Sequence, residues 1–498
     1  MLRKGLLGYL PVNVVQAVAG FGAVTAFTRL LSPTDYGAYA LGFSVMSLVH
    51  TCLFTWLEAS LARFHAAEAD DAARANLFAT IRRAWLSLVL GVPLAAAIAI
   101  WILPLSPPVR WAVGAGVGAI VTRSLLKLIQ ERRRAAGEVA GYARLDMLQT
   151  GGGFLLGMGL AAAGFGAAAP LIGGGVAAGA CLLFALPNEA HRAVAGRFET
   201  RRLHTYAAYG LPLSLSLVMS LALATTDRFV LAAYLNESAV GAYHAGYSLS
   251  SRTLDVIFIW FGMAAGPAAV AALERGGHGE LRTMALAQAR LILLVALPAA
   301  VGLALVAKPL AELMVGEALR SGAQRVTPWI AAGALFSGLT TYYFHTAFTL
   351  GRRTKRLLVA MAIPAGLNLL LALVLIPRFG LDGALWATTA SYAIGLLASV
   401  ALGRAALPLP IPWATLGKAA VACAAMAAAL VMLPSPGGVV ELALKAGVGA
   451  AIYGAGALAL DVAGVRTHAR SMLAKLTSRA PLEASPVKTG VQNATLDV

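Results

Sequence analysis

The sequence predicts an all-α polytopic membrane protein of about 14 transmembrane helices, arranged as two six-helix lobes in a parallel pseudo-twofold relation plus two C-terminal helices. Three observations predict it. Of 498 residues, 59% are hydrophobic and only 12% charged, about half the roughly 25% charge of soluble proteins. Apolar runs such as LSLVLGVPLAAAIAIWIL and LVAMAIPAGLNLLLALVLI recur along the chain, each near the ~20 residues that cross about 30 Å of hydrocarbon as a helix. A short motif repeats at the same step of each half, as described below.

In chain order the spacing predicts spans at 6–28, 38–62, 82–103, 109–128, 143–164, 168–187, 206–233, 241–273, 284–307, 326–350, 356–377, 382–404, 414–433 and 441–462. The corresponding units are a first lobe over 1–200, a second over 201–406, two additional helices in 407–463 and a basic tail over 464–498. MLRKGLL runs into the first apolar stretch without a clear cleavage site, so it reads as a retained first span. Connectors on one side, with both termini, carry roughly thirty Lys and Arg against about six on the other, which places both termini in the cytoplasm. The net charge of +17 therefore sets topology and does not form a nucleic-acid patch. The largest outward loop, KPLAELMVGEALRSGAQR, has room for a short helix only. The tail from Arg466 carries VRTHARSMLAKLTSR, suited to the inner membrane surface, and ends in a stretch that reads as disordered.

Cys52, Cys181 and Cys423 have neither metal-ligand spacing nor a disulfide pattern and read as small buried hydrophobes. No Walker A sequence, His/Cys metal cluster or nucleophile elbow is present, so the sequence implies no cofactor, no metal and no enzyme. GGGFLLGMG and LIGGGVAAG fall in apolar spans and read as close-packing surfaces.

The repeat pairs GAYALGFS at 37–44 with GAYHAGYS at 241–248. Each follows a span that opens on Leu-Pro, Leu10-Pro11 and Leu211-Pro212, and each lies at the outer end of the second helix of its set. Parallel repeats without a soluble domain are a layout of alternating-access transporters.

Three stretches in order, FTRLLSPTDYGAYALGFSVMSLVH, YGLPLSLSLVMSLALATTDRFVLAAYLNESAVGAYHAGYSL and NLLLALVLIPRFGLDGALWATTASY, resemble Wzx-type polysaccharide flippases of the multidrug/oligosaccharidyl-lipid/polysaccharide exporter superfamily. The resemblance covers roughly residues 1 to 405. It implies a V-shaped pair of lobes around a central cavity that carries a lipid-linked oligosaccharide, typically on undecaprenyl pyrophosphate, from the cytoplasmic to the periplasmic leaflet of the bacterial inner membrane. Implied partners are that substrate, membrane lipids, a coupling H+ or Na+ and polysaccharide polymerase machinery. The two extra C-terminal spans also resemble the fourteen-helix members, lipid II flippases included. A drug or cation antiporter of the same superfamily is the alternative, and an acidic lumen would favour it. A membrane-embedded glycan polymerase, ligase or glycosyltransferase is the third reading, opposed by the short outward loops.

A pyrophosphate crossing hydrocarbon needs a cationic lumen, and arginine binds phosphate in bidentate fashion while staying charged. Arg252 lies eleven residues after Gly241, about 16 Å down a helix and near mid-membrane. Asp255 follows at i+3 and is expected on the same face, modulating or pairing with Arg252 or binding a coupling ion. Arg123, in the inner half of the fourth span, is a further candidate; Lys127, one turn on, is expected to snorkel. His50 has the depth of a lumen residue, but a lone His is more often a hydrogen-bonded core group. Asp227 and Arg228 are adjacent in the seventh span and point about 100° apart. One is expected to face the cavity, with Arg228 a substrate candidate and Asp227 an ion-coupling or charge-pairing one. Asp146 and Gln149 are expected to cap the fifth span or sit at its interface, and Glu58 to pair with basic loops. Asn13, Gln16, Gln288, His345 and Asn368 read as ordinary interhelical hydrogen-bonders.

Overall fold

A computed structural model describes residues 2–68, 70–194 and 196–467. The surface-lying tail and disordered end expected from sequence lie, from 468 onward, outside the described residues. Sixteen α-helices follow one another: α1 (Leu2–Leu30), α2 (Pro33–Leu53), α3 (Thr55–His65), α4 (Asp71–Ile102), α5 (Pro107–Ala135), α6 (Val139–Ala162), α7 (Ala169–Val194), α8 (Thr200–Tyr234), α9 (Glu237–Leu305), α10 (Ala307–Met314), α11 (Glu317–Leu339), α12 (Thr346–Leu350), α13 (Thr354–Phe379), α14 (Leu381–Arg404), α15 (Trp413–Met432) and α16 (Gly438–Ala459). No strand occurs among the described residues.

Among the described residues, eleven helices are long and apolar enough to cross a membrane. The 69-residue α9 is two spans in one, because Gly276 and Gly277 leave helical geometry, Gly277 at φ 61°. Glycine alone adopts that conformation without strain, so the connector expected at ERGGHGELR shrinks to a two-residue elbow between limbs 237–275 and 278–305. Adding the second limb, α6 and the α11–α12 run gives the expected fourteen. The second span is broken at Phe54, where α2 gives way to α3. The largest outer loop holds the eight-residue α10.

Local chemistry fixes the helix starts. Ser32 accepts from the Asp35 amide and Pro33 follows at the first helical position of α2, where its missing N–H costs nothing. Asn236 caps α9 in the equivalent place by accepting from Ala239 N at 2.9 Å. The two GAY motifs thus begin five residues beyond equivalent caps.

In the first half α1 packs on α6, α6 on α7, α7 on α5 and α5 on α2. In the second, α8 packs on α13, α13 on α14, α14 on α11 and α11 on α9. α15 and α16 sit against the second limb of α9, where Tyr453 Oη donates to Leu294 O at 2.9 Å. The glycine-rich runs pack α6 on α7 as expected: a Cβ on Gly153 would lie 3.2 Å from Gly174, and one on Gly157 3.0 Å from Pro170. Cys181 and Cys423 are buried as expected, but Cys52 is exposed because it lies on the outward side of α2.

The halves meet in two places. At one end, α2 and α9 cross at their GAY motifs so closely that a Cβ on Gly37 would overlap the Glu237 carbonyl, and one on Gly241 would lie 2.7 Å from Pro33 O. Nearby, Arg29 donates to Leu313 O at 2.6 Å and Ser106 to Glu237 at 2.6 Å. At the opposite end α3 packs on α8, with Ser60 Oγ donating to Tyr206 O at 2.9 Å and Arg202 paired with Glu68 at 2.8 Å.

Candidate functional site

The inward faces of α1, α2, α5 and α6 leave two adjoining pockets of about 350 and 360 Å³ that share Gln16, Arg123, Gln149 and Thr150. Arg123 enters from α5 and sits over α7, where a Cβ on Gly174 would lie 2.9 Å from its Nη1. Arg252 enters the same pocket from α9, in the other half, and its guanidinium covers Gly20 of α1. A side chain at Gly20 would displace it. Neither arginine makes an ion pair among the described residues. Lys127 and His50 complete the inner end of this cavity.

The other polar residues here take partners that spacing did not reveal. Asp146 is buried and accepts from Gln16 Nε2 at 2.8 Å, so it is not a cap; Val139, not Asp146, begins α6. Gln149 accepts from Gln130 at 3.3 Å. His50 Nε2 and Glu58 Oε1 lie 2.8 Å apart, a pair that bridges the break at Phe54. Glu58 therefore turns inward to His50 and does not meet the basic loops. Lys127 is tied to Glu131 at 3.6 Å, one turn nearer the interface.

A second cavity, about 410 Å³, lies within the second half. Tyr247, Ser251 and Asp255 form its α9 wall, spaced one turn apart on one face, and Tyr392 comes from α14. Thr341 and Tyr342 come from a π-helical turn, Thr340–Phe344, that interrupts the run from α11 to α12. Such turns are rare and cluster at functional sites. Arg252 lines the first cavity and Asp255 the second, so the expected ion pair does not form among the described residues, although the Arg252 charge still lies within electrostatic reach of Asp255. Residues three apart on a helix differ by about 60°, and α9 is the ridge between the two spaces, so a modest angle puts them on opposite slopes.

Asp227 and Arg228 diverge as adjacent helical residues must, but neither lines these cavities. Asp227 is fully buried and accepts from Thr388 Oγ1 at 2.5 Å, Tyr243 Oη at 2.9 Å and Asn368 Nδ2 at 3.1 Å, all in the second half. Arg228 turns towards the first half, donating to Ser44 Oγ at 3.1 Å with its guanidinium 4.9 Å over the Tyr247 ring. Gln16, Gln288 and Asn368 make the interhelical hydrogen bonds expected of them, and His345 stands 3.4 Å from Ser399, whereas Asn13 makes none among the described residues. Sequence reasoning missed Tyr247, Ser251, Tyr342 and Tyr392. The 247/251/255 spacing carried a readable signal for the first two; nothing in the sequence announced the π-turn that delivers Tyr342.

Residues 26–321, more than half of the chain, match the family model described as "Polysaccharide biosynthesis protein". No protein with a curated description matches. Among solved structures, the chain is similar to "Lipid II flippase MurJ, inward closed conformation", with TM-score 0.75, 12% identity and coverage of 91% of this chain and 98% of that one. It is also similar to an inward-facing multidrug resistance MATE family transporter of the MOP superfamily, with TM-score 0.63, 14% identity and coverage of 79% and 94%. An outward-facing MATE transporter gives TM-score 0.54, 16% identity and the same coverages, 79% and 94%. At these identities the likeness is one of fold.

Proposed function

The chain belongs to the polysaccharide biosynthesis protein family, and from that premise we propose that it is a flippase carrying a lipid-linked oligosaccharide from the cytoplasmic to the periplasmic leaflet of the inner membrane. Its two lobes, residues 1–200 and 201–406, alternate access to the cavities, with the helices of 407–463 appended and both termini cytoplasmic. The observation that carries the reading is the convergence of Arg123 and Arg252, from different halves, on one polar pocket at membrane depth without a carboxylate paired to either. Burying an arginine in a membrane is costly unless it meets a partner or a water-filled space. An anion that arrives with the substrate supplies that partner, and the planar guanidinium grips a pyrophosphate through two hydrogen bonds at once.

Because the site is shared between halves, bound pyrophosphate draws them together. The crossing of Gly37 on Gly241 closes the outer end in this state, and it must separate for release outward. Arg228 on Ser44 is a tie across the same junction, to be broken in the same step. A gradient of H+ or Na+, or consumption of the product by a polymerase outside, drives the cycle. The antiporter alternative asks for an acidic drug-binding lumen, and the pocket shared by the two halves is cationic instead.

The test is glycan export in cells at matched protein levels. Arg123→Ala and Arg252→Ala are each expected to lower export about tenfold or more, the worth of a charge-assisted hydrogen bond to phosphate. Arg252→Lys should retain part of it, keeping the charge but losing the fork. Full export by all three variants removes both arginines from the mechanism.

A further inference from the structure

We infer that the cavity of the second half is the glycan site: it binds the uncharged sugar units next to the pyrophosphate, with Asp255 accepting from sugar hydroxyls and Tyr342 covering a ring face. This rests on the flippase reading. It adds a second subsite, separate from the arginine pocket, and a restriction on the sugars that fit.

Four features of the cavity lead there. Its volume of about 410 Å³ is within the range of small-ligand sites. Its wall combines hydroxyls from Ser251, Thr341, Tyr247 and Tyr392 with one carboxylate, Asp255, and a sugar is itself a ring of hydroxyls around an apolar face. Asp255 is exposed to the space and makes neither a hydrogen bond nor an ion pair among the described residues, so both oxygens are available; a carboxylate accepts up to four hydrogen bonds. Tyr342 is held rigidly, stacked on Phe258 with ring centroids 5.8 Å apart and planes at 15°. Gly262 leaves room for that ring, since a Cβ there would overlap Tyr342. The π-turn both presents Tyr342 and frees its carbonyl to accept from Gln288 at 3.2 Å. A fixed aromatic ring beside a free carboxylate loses little entropy on binding.

The placement of the two sites supports the same division. Arg252 and Asp255 leave α9 towards different cavities, so the two spaces lie side by side against this helix. A molecule with its phosphates on one side and its sugars on the other spans that ridge. Asp255 would repel a uronic acid or a phosphate on the nearest sugars, so those units are neutral. A cation-coupling role for Asp255 is the competing account, and it assigns no contact to the sugars.

The experiment uses the full-length protein in lipid nanodiscs and two probes: undecaprenyl pyrophosphate, and the same lipid bearing a neutral N-acetylhexosamine disaccharide. Dissociation constants are measured for wild type, Asp255→Ala, Tyr342→Ala and Arg123→Ala. Wild type should bind the glycosylated lipid about tenfold more tightly, the worth of one hydrogen bond to a charged group. Asp255→Ala and Tyr342→Ala should bring that ratio close to one while binding the bare lipid as wild type does, which also shows them folded. Arg123→Ala should weaken both lipids equally and keep the ratio. A wild-type ratio of one, or a ratio unchanged in Asp255→Ala and Tyr342→Ala, overturns the glycan site and leaves the flippase reading standing. Failure of wild type to bind either lipid defeats the flippase reading and this inference with it.

Discussion

The two cavities are the same place built twice. The register that pairs Gly37 with Gly241 also pairs Phe43, Ser47 and Thr51, which line the first cavity, with Tyr247, Ser251 and Asp255, which line the second. The backbone repeat therefore gives two pockets of similar form, and side chains alone give them different chemistry. Threonine on one side corresponds to a carboxylate on the other, and phenylalanine to tyrosine. Arg252 breaks the symmetry by leaving its own half for the first cavity, which joins Arg123 to a second cation and couples the halves. A repeated fold can thus hold a substrate whose two ends differ in charge.

Four substitutions break or sharpen this comparison. The largest effect is expected at the adjacent charges of α8. Asp227→Ala removes the buried acceptor of three hydrogen bonds in the second half and should cost about 3 kcal/mol of stability, whereas Arg228→Ala loses one hydrogen bond across the junction and should cost about 1 kcal/mol. Thermal unfolding of the purified proteins reads both; equal losses would mean that the two residues do not divide between the halves as described. Next is Thr51→Asp, which copies the second cavity's carboxylate into the first, beside its cations. Export should fall about tenfold, as expected when a like charge faces an anionic substrate in a partly buried site. Unchanged export would show that the first cavity does not receive the anion. The smallest effect belongs to His50→Gln, which keeps a donor near Glu58 and should shift stability by no more than ~1 kcal/mol with export within about twofold. A large loss of export at intact stability would move His50 into the substrate path.

The span count, the repeat and the place of Arg123 and Arg252 within spans were legible because each rests on a one-dimensional signal: run length, a recurring motif, or a charge at a countable depth. What was not legible depends on neighbours. Spacing places Asp255 within 60° of Arg252, but only the packing of α9 shows that this arc crosses a ridge. Asp227 and Arg228 were expected to split, and they do, yet the expectation that one faces the cavity failed because both are enclosed by helices distant in sequence, α13 and α14 for one and α2 for the other. Gln16 meets Asp146 across 130 positions, a distance at which periodicity is silent. The break at Phe54, which brings His50 to Glu58, and the π-turn at Thr340–Phe344 leave no mark of glycine or proline at the site, so the chain reads as continuous helix through both.

The central claim is that arginines from opposite halves form one anion site. A structure of the protein in lipid nanodiscs with undecaprenyl pyrophosphate bound tests it most directly. The account predicts the diphosphate in the first cavity, with oxygens within hydrogen-bond distance of both Arg123 and Arg252. Diphosphate density elsewhere on the protein, with Arg123 and Arg252 left unengaged, would contradict it.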